Sequence, residues 1–200
     1  MHRIQAEFGG RLLACYLLLG KSALLIDSGI ASTPEQAIFP YLDRIGVPVD
    51  QIEWLVVTHA SGDHFGGNGA IKRRSPGMAI IGHECDAASI GSHATLAAEH
   101  ISRLGEAGVP VPDLNPDDPD FLAVHGAEVA VDLSVHGGET LDLGPGWSVR
   151  LLHAPGHTPG HLMVHDSRRR ALFVGDAVLG DGIPDLDVRV VRPPHYFEVD

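Results

Sequence analysis

Two histidines and an aspartate lie within six positions in residues 58–67, which read THASGDHFGG. The stretch follows an apolar run, EWLVV, that is typical of a buried strand. In an extended loop, residues two apart point the same way, so His59 and the side chain at position 61 can face one ion. Asp63 and His64 lie further on and can face a second ion. Position 61 is Ser61, a neutral hydroxyl and a poor zinc ligand, so the stretch predicts a metal-binding loop with one unusual position.

Two later segments also deliver polar side chains from a strand into a glycine-rich loop. Residues 154–161, APGHTPGH, follow a run that ends at His153. The sequence FVGD ends another apolar run at Asp176. The two oxygens of this carboxylate can bridge two ions, because paired hydrolytic metals lie about 3.5–4 Å apart. The three segments together predict a cleft that binds metal.

Strands and helices must bring these segments together, and the two kinds of element alternate in the first half of the chain. Apolar runs between turn residues predict strands over residues 11–19, 23–27, 52–58, 78–82, 127–131, 139–143, 147–153, 161–165 and 170–175. Caps and i, i+4 apolar spacing predict helices over residues 34–45, 84–91 and 94–107, and a short helix that begins near His64. We expect Thr33 to cap the first helix and a proline-rich loop to span residues 108–120. This is a sheet-rich α/β layout with helices outside two sheets.

Composition limits the class of protein. A length of 200 residues favours one domain, residues 1–200, and an apolar fraction of 44% is enough for a sizeable core. The net charge of −12 argues against a nucleic-acid partner, which needs a basic face. Two cysteines favour a reducing compartment, and the first residues lack the features of a signal peptide. We therefore expect a cytoplasmic protein with a small-molecule substrate and no membrane partner; the oligomeric state stays open.

The segments in this order resemble the metallo-β-lactamase-fold superfamily of metallo-hydrolases, which includes glyoxalase II, lactonases and β-lactamases. Its main motif, His-x-His-x-Asp-His, stands here as His59-Ala60-Ser61-Gly62-Asp63-His64. GHTPGH is similar to the third motif of the family and FVGDAV to the fourth, and LLIDSG, which contains Asp27, is similar to its early hairpin. The resemblance covers residues from about 11 to 180.

The resemblance implies a fold, a cofactor and a set of ligands. The fold is α/β, a four-layer αββα sandwich of the metallo-β-lactamase type, truncated or naturally short at its C-terminal end. The cofactor is zinc (Zn), as one or two ions, with iron (Fe) as the alternative. The implied metal ligands are His59, Asp63, His64, His157 and Asp176. Asp63 is in addition the expected catalytic residue, which steers a proton.

Two departures from the family pattern affect the number of metal ions. Ser61 replaces the second motif histidine; it can hold a water molecule, leave room for a single ion, or mark lost affinity. The family also has a late ligand histidine, which we expect beyond residue 200 and do not assign to His195.

Three functions agree with these residues. The first is hydrolysis of a small ester, thioester, lactone or amide by a metal-activated water. The alternative is a mononuclear non-haem iron sulfur (persulfide) dioxygenase, because His59, His157 and Asp176 form a two-histidine, one-carboxylate set. The third is a metal-depleted, non-catalytic member of the family.

Several residues near the motifs have expected structural roles. Asp27 is expected to fix a glycine turn or to orient a ligand histidine. His161 is expected to pack against its turn or to cap it, and the backbone N–H groups of Gly66 and Gly67 to face an anionic group. The segment over residues 83–121 is expected to cover the cleft. The remaining histidines are expected on the surface or as hydrogen-bonded core residues: His83, His93, His100, His125, His136 and His153.

Overall fold

A computed structural model describes residues 1–101, 115–178, 183–184 and 190–191. These residues form a six-stranded sheet in the order β1 (His2–Phe8), β2 (Arg11–Leu19), β3 (Ala23–Ile26), β4 (Ile52–Val56), β5 (Ala79–His83), β6 (Leu133–Val135). A second, four-stranded sheet runs in the order β10 (Ala171–Phe173), β9 (Leu162–Asp166), β8 (Trp147–His153), β7 (Thr140–Gly144). Two short strands, β11 (Ile183–Pro184) and β12 (Val190–Val191), pair with each other.

The described helices are short and connect the strands of the first sheet. They are α1 (Phe39–Ile45), α2 (Gly62–Phe65), α3 (Asn68–Arg74), α4 (Glu84–Gly91), α5 (His93–Thr95) and α6 (Pro119–His125). A π-helical turn, Pro34–Ile38, leads into α1, and another, Leu96–Ile101, follows α5. Among the described residues, no helix is long and apolar enough to cross a membrane.

Strand direction decides where the loops of the first sheet meet. Strands β1, β2 and β3 are antiparallel, whereas β3, β4, β5 and β6 run parallel to one another. The carboxyl ends of parallel strands lie at the same edge of a sheet, and ligand sites in α/β folds form outside that edge. The segments that begin at Asp27, Val57 and Glu84 all leave the sheet there.

Two apolar cores hold the layers together. The core between the sheets is made of strand residues, among them Leu24, Val56, Val149 and Leu162, each 0% exposed. The other core lies between the first sheet and its helices and includes Leu25, Phe39 and Ile71. Along β8 buried and exposed residues alternate, as in a sheet that packs on one face. The described residues thus form three layers, one of helices and two of sheet.

Most predicted elements are confirmed, several to the residue: β2 over 11–19, α4 over 84–91 and β8 over 147–153. The strand predicted over residues 127–131 is wrong. That segment forms no strand, and its Ala130 lies against Gly91 at the end of α4. The pairing partner of β5 is instead β6, a few residues later.

The proline-rich loop is also shorter than predicted. Residues 119 and 120 begin α6, because the Asp118 side chain accepts a hydrogen bond from Asp120 N at 2.8 Å and Pro119 takes the first helical position. Thr33 does not cap its helix; its hydroxyl accepts a bond from Ile30 N instead. The predictions for residues 102–114 and for His195 lie outside the described residues.

Gly20 gives a test of the contact between the two sheets. It lies in the β2–β3 turn, and the next residue, Lys21, donates its N–H to Leu143 O at 2.7 Å. A Cβ at Gly20 would overlap that carbonyl group, whereas a Cβ at Gly77 would meet nothing within 4 Å. We expect Gly20→Ala to lower the free energy of unfolding by about 1–3 kcal/mol in urea titrations. The control Gly77→Ala should change it by less than about 0.5 kcal/mol, and equal values for both variants would contradict the contact.

Candidate metal centre

The predicted ligands come together at the carboxyl edge of the first sheet. His59 follows β4 by three residues, and α2, which contains Asp63 and His64, begins directly after that loop. His157 lies in the loop after β8, and Asp176 lies in the loop after β10. The first sheet therefore contributes three of the side chains and the second sheet two.

The closest group consists of two histidines and one carboxylate. The ligand atoms of His59, His157 and Asp176 all lie within 4.8 Å of one another. The two histidines are buried, and their rings meet edge-on with centroids 4.7 Å apart. Nitrogen and oxygen ligands lie about 2.0–2.2 Å from zinc, so small side-chain movements would let these three atoms share one ion. Two imidazoles and a carboxylate also form a set that ferrous iron accepts.

Asp176 lies between this group and the second pair of predicted ligands. Its Oδ2 is 3.7 Å from His157 Nε2, and its Oδ1 is 3.6 Å from His64 Nε2. His64 Nε2 is also 3.9 Å from Asp63 Oδ2. Because each oxygen of Asp176 faces a different histidine, the carboxylate has the orientation that a bridge between two ions requires.

Asp27 orients His64, one of the second pair of predicted ligands. It has a left-handed backbone, with φ of 60°, and is buried at the end of β3. Its Oδ1 accepts from Thr58 N at 2.7 Å, and its Oδ2 lies 3.0 Å from the Thr58 hydroxyl and 2.9 Å from His64 Nδ1. Asp27 therefore contacts one of the predicted ligand histidines, as expected, and that histidine is His64. This bond leaves Nε2 of His64 directed at the cleft.

The charge on His64 follows from these neighbours. Burial lowers the pKa of His64, but the negative charges of Asp27, Asp63 and Asp176 outweigh it and raise that pKa to about 10. An excess of negative charge in a buried site attracts a cation. A metal ion held by His64 would take the place of the proton, because a histidine that ligates a metal must be a neutral imidazole.

His161 has a different role from the one expected. It is fully buried, and its Nε2 accepts a hydrogen bond from Asp176 N at 3.1 Å. Burial first, and then the nearby His157, His64 and His153, lower the pKa of His161 to about 3, so the ring stays neutral and keeps this acceptor. It also stacks on the His59 ring with centroids 4.8 Å apart. His161 therefore holds the backbone of Asp176.

Sequence reasoning missed Asp86, which is 0% exposed in the first turn of α4. Its carboxylate accepts hydrogen bonds from Ala60 N, from the Thr158 hydroxyl and from Gly160 N, in two loops that bear histidines. Its position in the sequence could have identified it. Asp86 follows β5 as the motif follows β4, and these parallel strands end at the same edge of the sheet.

The expected anion-facing role of Gly66 and Gly67 is wrong. Gly66 N donates to Gly62 O at 2.9 Å, and Gly67 N donates to Gly29 O at 3.1 Å. A Cβ on either residue would overlap a backbone carbonyl, of Val124 and of Ser28 respectively. The two glycines therefore allow close backbone packing around the metal loop.

The segment expected to cover the cleft contacts the metal loop through Asp86, and His125, just after that segment, also lies against the loop. The His125 ring lies against Gly62, where a Cβ would come within 2.6 Å of it. The same ring stacks on Phe121 at 3.8 Å and lies 6.1 Å from His93. Of the other histidines, His83 is a hydrogen-bonded core residue as expected, since its two ring nitrogens contact Cys85 N and His136 O.

Comparison with known proteins gives one family match. The family model described as the metallo-beta-lactamase superfamily matches residues 9–199.

Curated relatives include hydrolases from several bacteria. A "Probable metallo-hydrolase" of Burkholderia pseudomallei is 31% identical over 143 residues, which are 68% of this chain and 41% of that protein. A hydroxyacylglutathione hydrolase of Aeromonas salmonicida is 26% identical over 162 residues, 80% of this chain and 43% of that protein. A hydroxyacylglutathione hydrolase of Hyphomonas neptunium is 44% identical over 52 residues, 26% of this chain and 20% of that protein. The chain thus spans less than half the length of these relatives.

Solved structures share the fold. A metallo-beta-lactamase with an HARLDQ motif from Cronobacter sakazakii gives a TM-score of 0.59 at 23% identity, over 84% of this chain and 59% of that one. A metallo-beta-lactamase from Elizabethkingia meningoseptica gives 0.59 at 22% identity, over 79% and 53%. These likenesses confirm the predicted α/β sandwich fold.

Proposed function

The chain belongs to the metallo-beta-lactamase superfamily, and on that premise we propose that it hydrolyses a small acyl compound, with a thioester as the first substrate class to test. The family match and the names of the relatives support metal-dependent hydrolysis. Two of those relatives are hydroxyacylglutathione hydrolases, whose name describes an acyl group on the glutathione thiol. Esters, lactones and amides present the same kind of carbonyl and are the other substrates to test.

The observation that carries the proposal is the orientation of Asp176. One of its oxygens faces His157 and the other faces His64, so a single carboxylate serves both halves of the site. His157, His64 and Asp176 would hold metal there, and that metal would supply a Lewis acid for the substrate carbonyl and a lowered pKa for a water molecule.

The exposure of Asp63 supports a role for this residue in proton transfer. Its side chain is 31% exposed, against 21% for Asp176 and 13% for His64, so it lies nearest the open side of the site. Its Oδ2 is 3.9 Å from His64 Nε2, which keeps the carboxylate beside the ligands. We propose that Asp63 takes up the proton that the attacking water loses and delivers it to the leaving group.

Ser61 makes the two halves of the site unequal. The half that contains His59 and His157 lacks the second motif histidine, whereas Asp63 and His64 are both present in the other half. The Cronobacter sakazakii protein has arginine at the third letter of its HARLDQ motif, so the fold accepts a residue other than histidine there.

Elemental analysis tests this asymmetry. We expect reconstituted wild-type protein to hold between one and two zinc equivalents, Ser61→His to approach two, and Ser61→Ala to match the wild type, because only histidine adds a ligand. Hydrolysis of acyl-glutathione, aryl ester and lactone probes is measured on the same samples. Wild-type protein that binds no zinc, or that binds zinc and hydrolyses none of these probes, would contradict the proposed function.

A second candidate rests on the group of His59, His157 and Asp176. This is the two-histidine, one-carboxylate set of mononuclear iron oxygenases, and Ser61 does not interrupt it. A persulfide dioxygenase would contain iron after anaerobic purification and would consume oxygen with a thiol persulfide. Zinc content alone, with no oxygen uptake, would exclude this candidate.

A further inference from the structure

Asp86 is a buried carboxylate in α4 that joins two loops from separate parts of the chain. Its Oδ2 lies 2.9 Å from Ala60 N and 2.5 Å from the Thr158 hydroxyl, and its Oδ1 lies 2.7 Å from Gly160 N. All of these are donors, so they suit an ionised carboxylate that only accepts. Among the described residues, no lysine, arginine or histidine nitrogen lies within 4.0 Å of it.

Each donor is next to a histidine of the metal centre. Ala60 follows His59, and Thr158 follows His157. Gly160 precedes His161, which in turn holds the backbone of Asp176. A single side chain therefore bonds to the residues that follow His59 and His157, through the main chain of Ala60 and the hydroxyl of Thr158.

The loops that Asp86 joins come from different sheets. The loop of Ala60 follows β4 in the first sheet, and the loop of Thr158 follows β8 in the second. Gly160 permits the approach, because a Cβ there would lie 2.6 Å from the carboxylate of Asp86. Burying an ion costs several kcal/mol, and the three hydrogen bonds offset that cost only in this arrangement.

We infer that Asp86 is a positioning residue for the metal centre, which fixes the distance between His59 and His157. This inference rests on the metal site of the proposed function. Its importance follows from Ser61, since the half-site of His59 and His157 lacks the third histidine of the motif, and a metal there would depend more on the placement of these two. Outer partners that orient ligands typically contribute 10–100-fold to metal affinity.

Asp86→Asn tests the inference, with Asp166→Asn as a matched control. Asp166 is also 0% exposed and also accepts hydrogen bonds from Trp147 Nε1 and Arg169 N, but it lies at the end of β9, away from the ligands. Zinc dissociation constants are measured by competition with a chelating dye, and bound Co²⁺ is followed by its visible absorption. We expect Asp86→Asn to weaken zinc binding by about 10–100-fold and to change the cobalt spectrum. Asp166→Asn should leave both unchanged.

A second pair of variants tests the positioning role of Asp86 if Asp86→Asn does not fold. Thr158→Val removes one hydroxyl donor at nearly constant volume, and Thr158→Ser keeps it. We expect weaker zinc binding in the valine variant and wild-type binding in the serine variant. Unchanged zinc affinity in Asp86→Asn and Thr158→Val would overturn this inference but not the proposed function. Equal losses of zinc affinity in Asp86→Asn and Asp166→Asn would do the same. Absence of metal from the wild type would overturn both proposals, whereas bound metal without hydrolysis would overturn only the proposed reaction.

Discussion

Asp176→Ala is expected to lower kcat/KM for the hydrolysed substrate by about 10³-fold, more than the 10–100-fold typical of residues that only support a ligand. The carboxylate faces His157 Nε2 with one oxygen, at 3.7 Å, and His64 Nε2 with the other, at 3.6 Å. Removing it takes a ligand from both halves of the site at once. Zinc content should fall together with activity, and both are measured on the same reconstituted sample.

Asp63→Asn is the control for this result. Asp63 lies beside His64 only and is more exposed, so its amide variant should lose turnover and keep metal in the half formed by His59 and His157. A loss of kcat without a matching loss of zinc would separate proton transfer from ligation. If Asp176→Ala keeps its zinc and its rate, Asp176 does not bridge the site.

Asp27→Ala is expected to lower the free energy of unfolding of the metal-free protein by about 3–5 kcal/mol, as is typical when one partner of a buried charged pair is removed. The substitution leaves Thr58 N and the Thr58 hydroxyl without their acceptor in the core, and it removes the negative charge beside His64. Urea unfolding in the presence of a chelator measures the effect without a contribution from bound metal.

Asp27→Asn serves as the matched variant. Asparagine tolerates the left-handed backbone at this position and keeps an oxygen for Thr58 N, so its loss should be smaller, about 1–3 kcal/mol. Equal losses in the two variants would mean that the charge contributes nothing and that the backbone bond carries the whole effect. A loss below about 1 kcal/mol in Asp27→Ala would contradict the buried-pair argument.

The sequence predicted those parts of the fold that depend on local patterns. Alternating burial along Trp147–His153 matches the apolar spacing of that segment, and the Glu84–Gly91 helix lies between a buried strand and a serine. Residues 127–131 have the same kind of spacing but no partner strand, because apolar alternation reports burial and not pairing. Asp118-Pro119 did contain a helix-start signal, which the surrounding prolines obscured.

The candidate site was likewise predicted only in part. His59, Asp63, His64, His157 and Asp176 were visible as a motif, and the fold brings them together. The supporting contacts were not visible, because Asp86 is 26 positions from Ala60 and 72 from Thr158 along the chain. Only the parallel arrangement of β4 and β5, with the second sheet packed beside them, makes these residues neighbours. The spacing within a motif locates ligands, but it carries no information about what holds them.

The bond from Asp176 N to His161 has a consequence for how the spacing of the centre is set. This bond holds the main chain of Asp176, and Asp86 joins the loops of His59 and His157, so protein groups alone hold these side chains near one another. In small zinc domains, by contrast, the metal organises its own ligands as the chain folds. The geometry of this cleft is therefore a property of the fold, and selection among metals can come from that geometry.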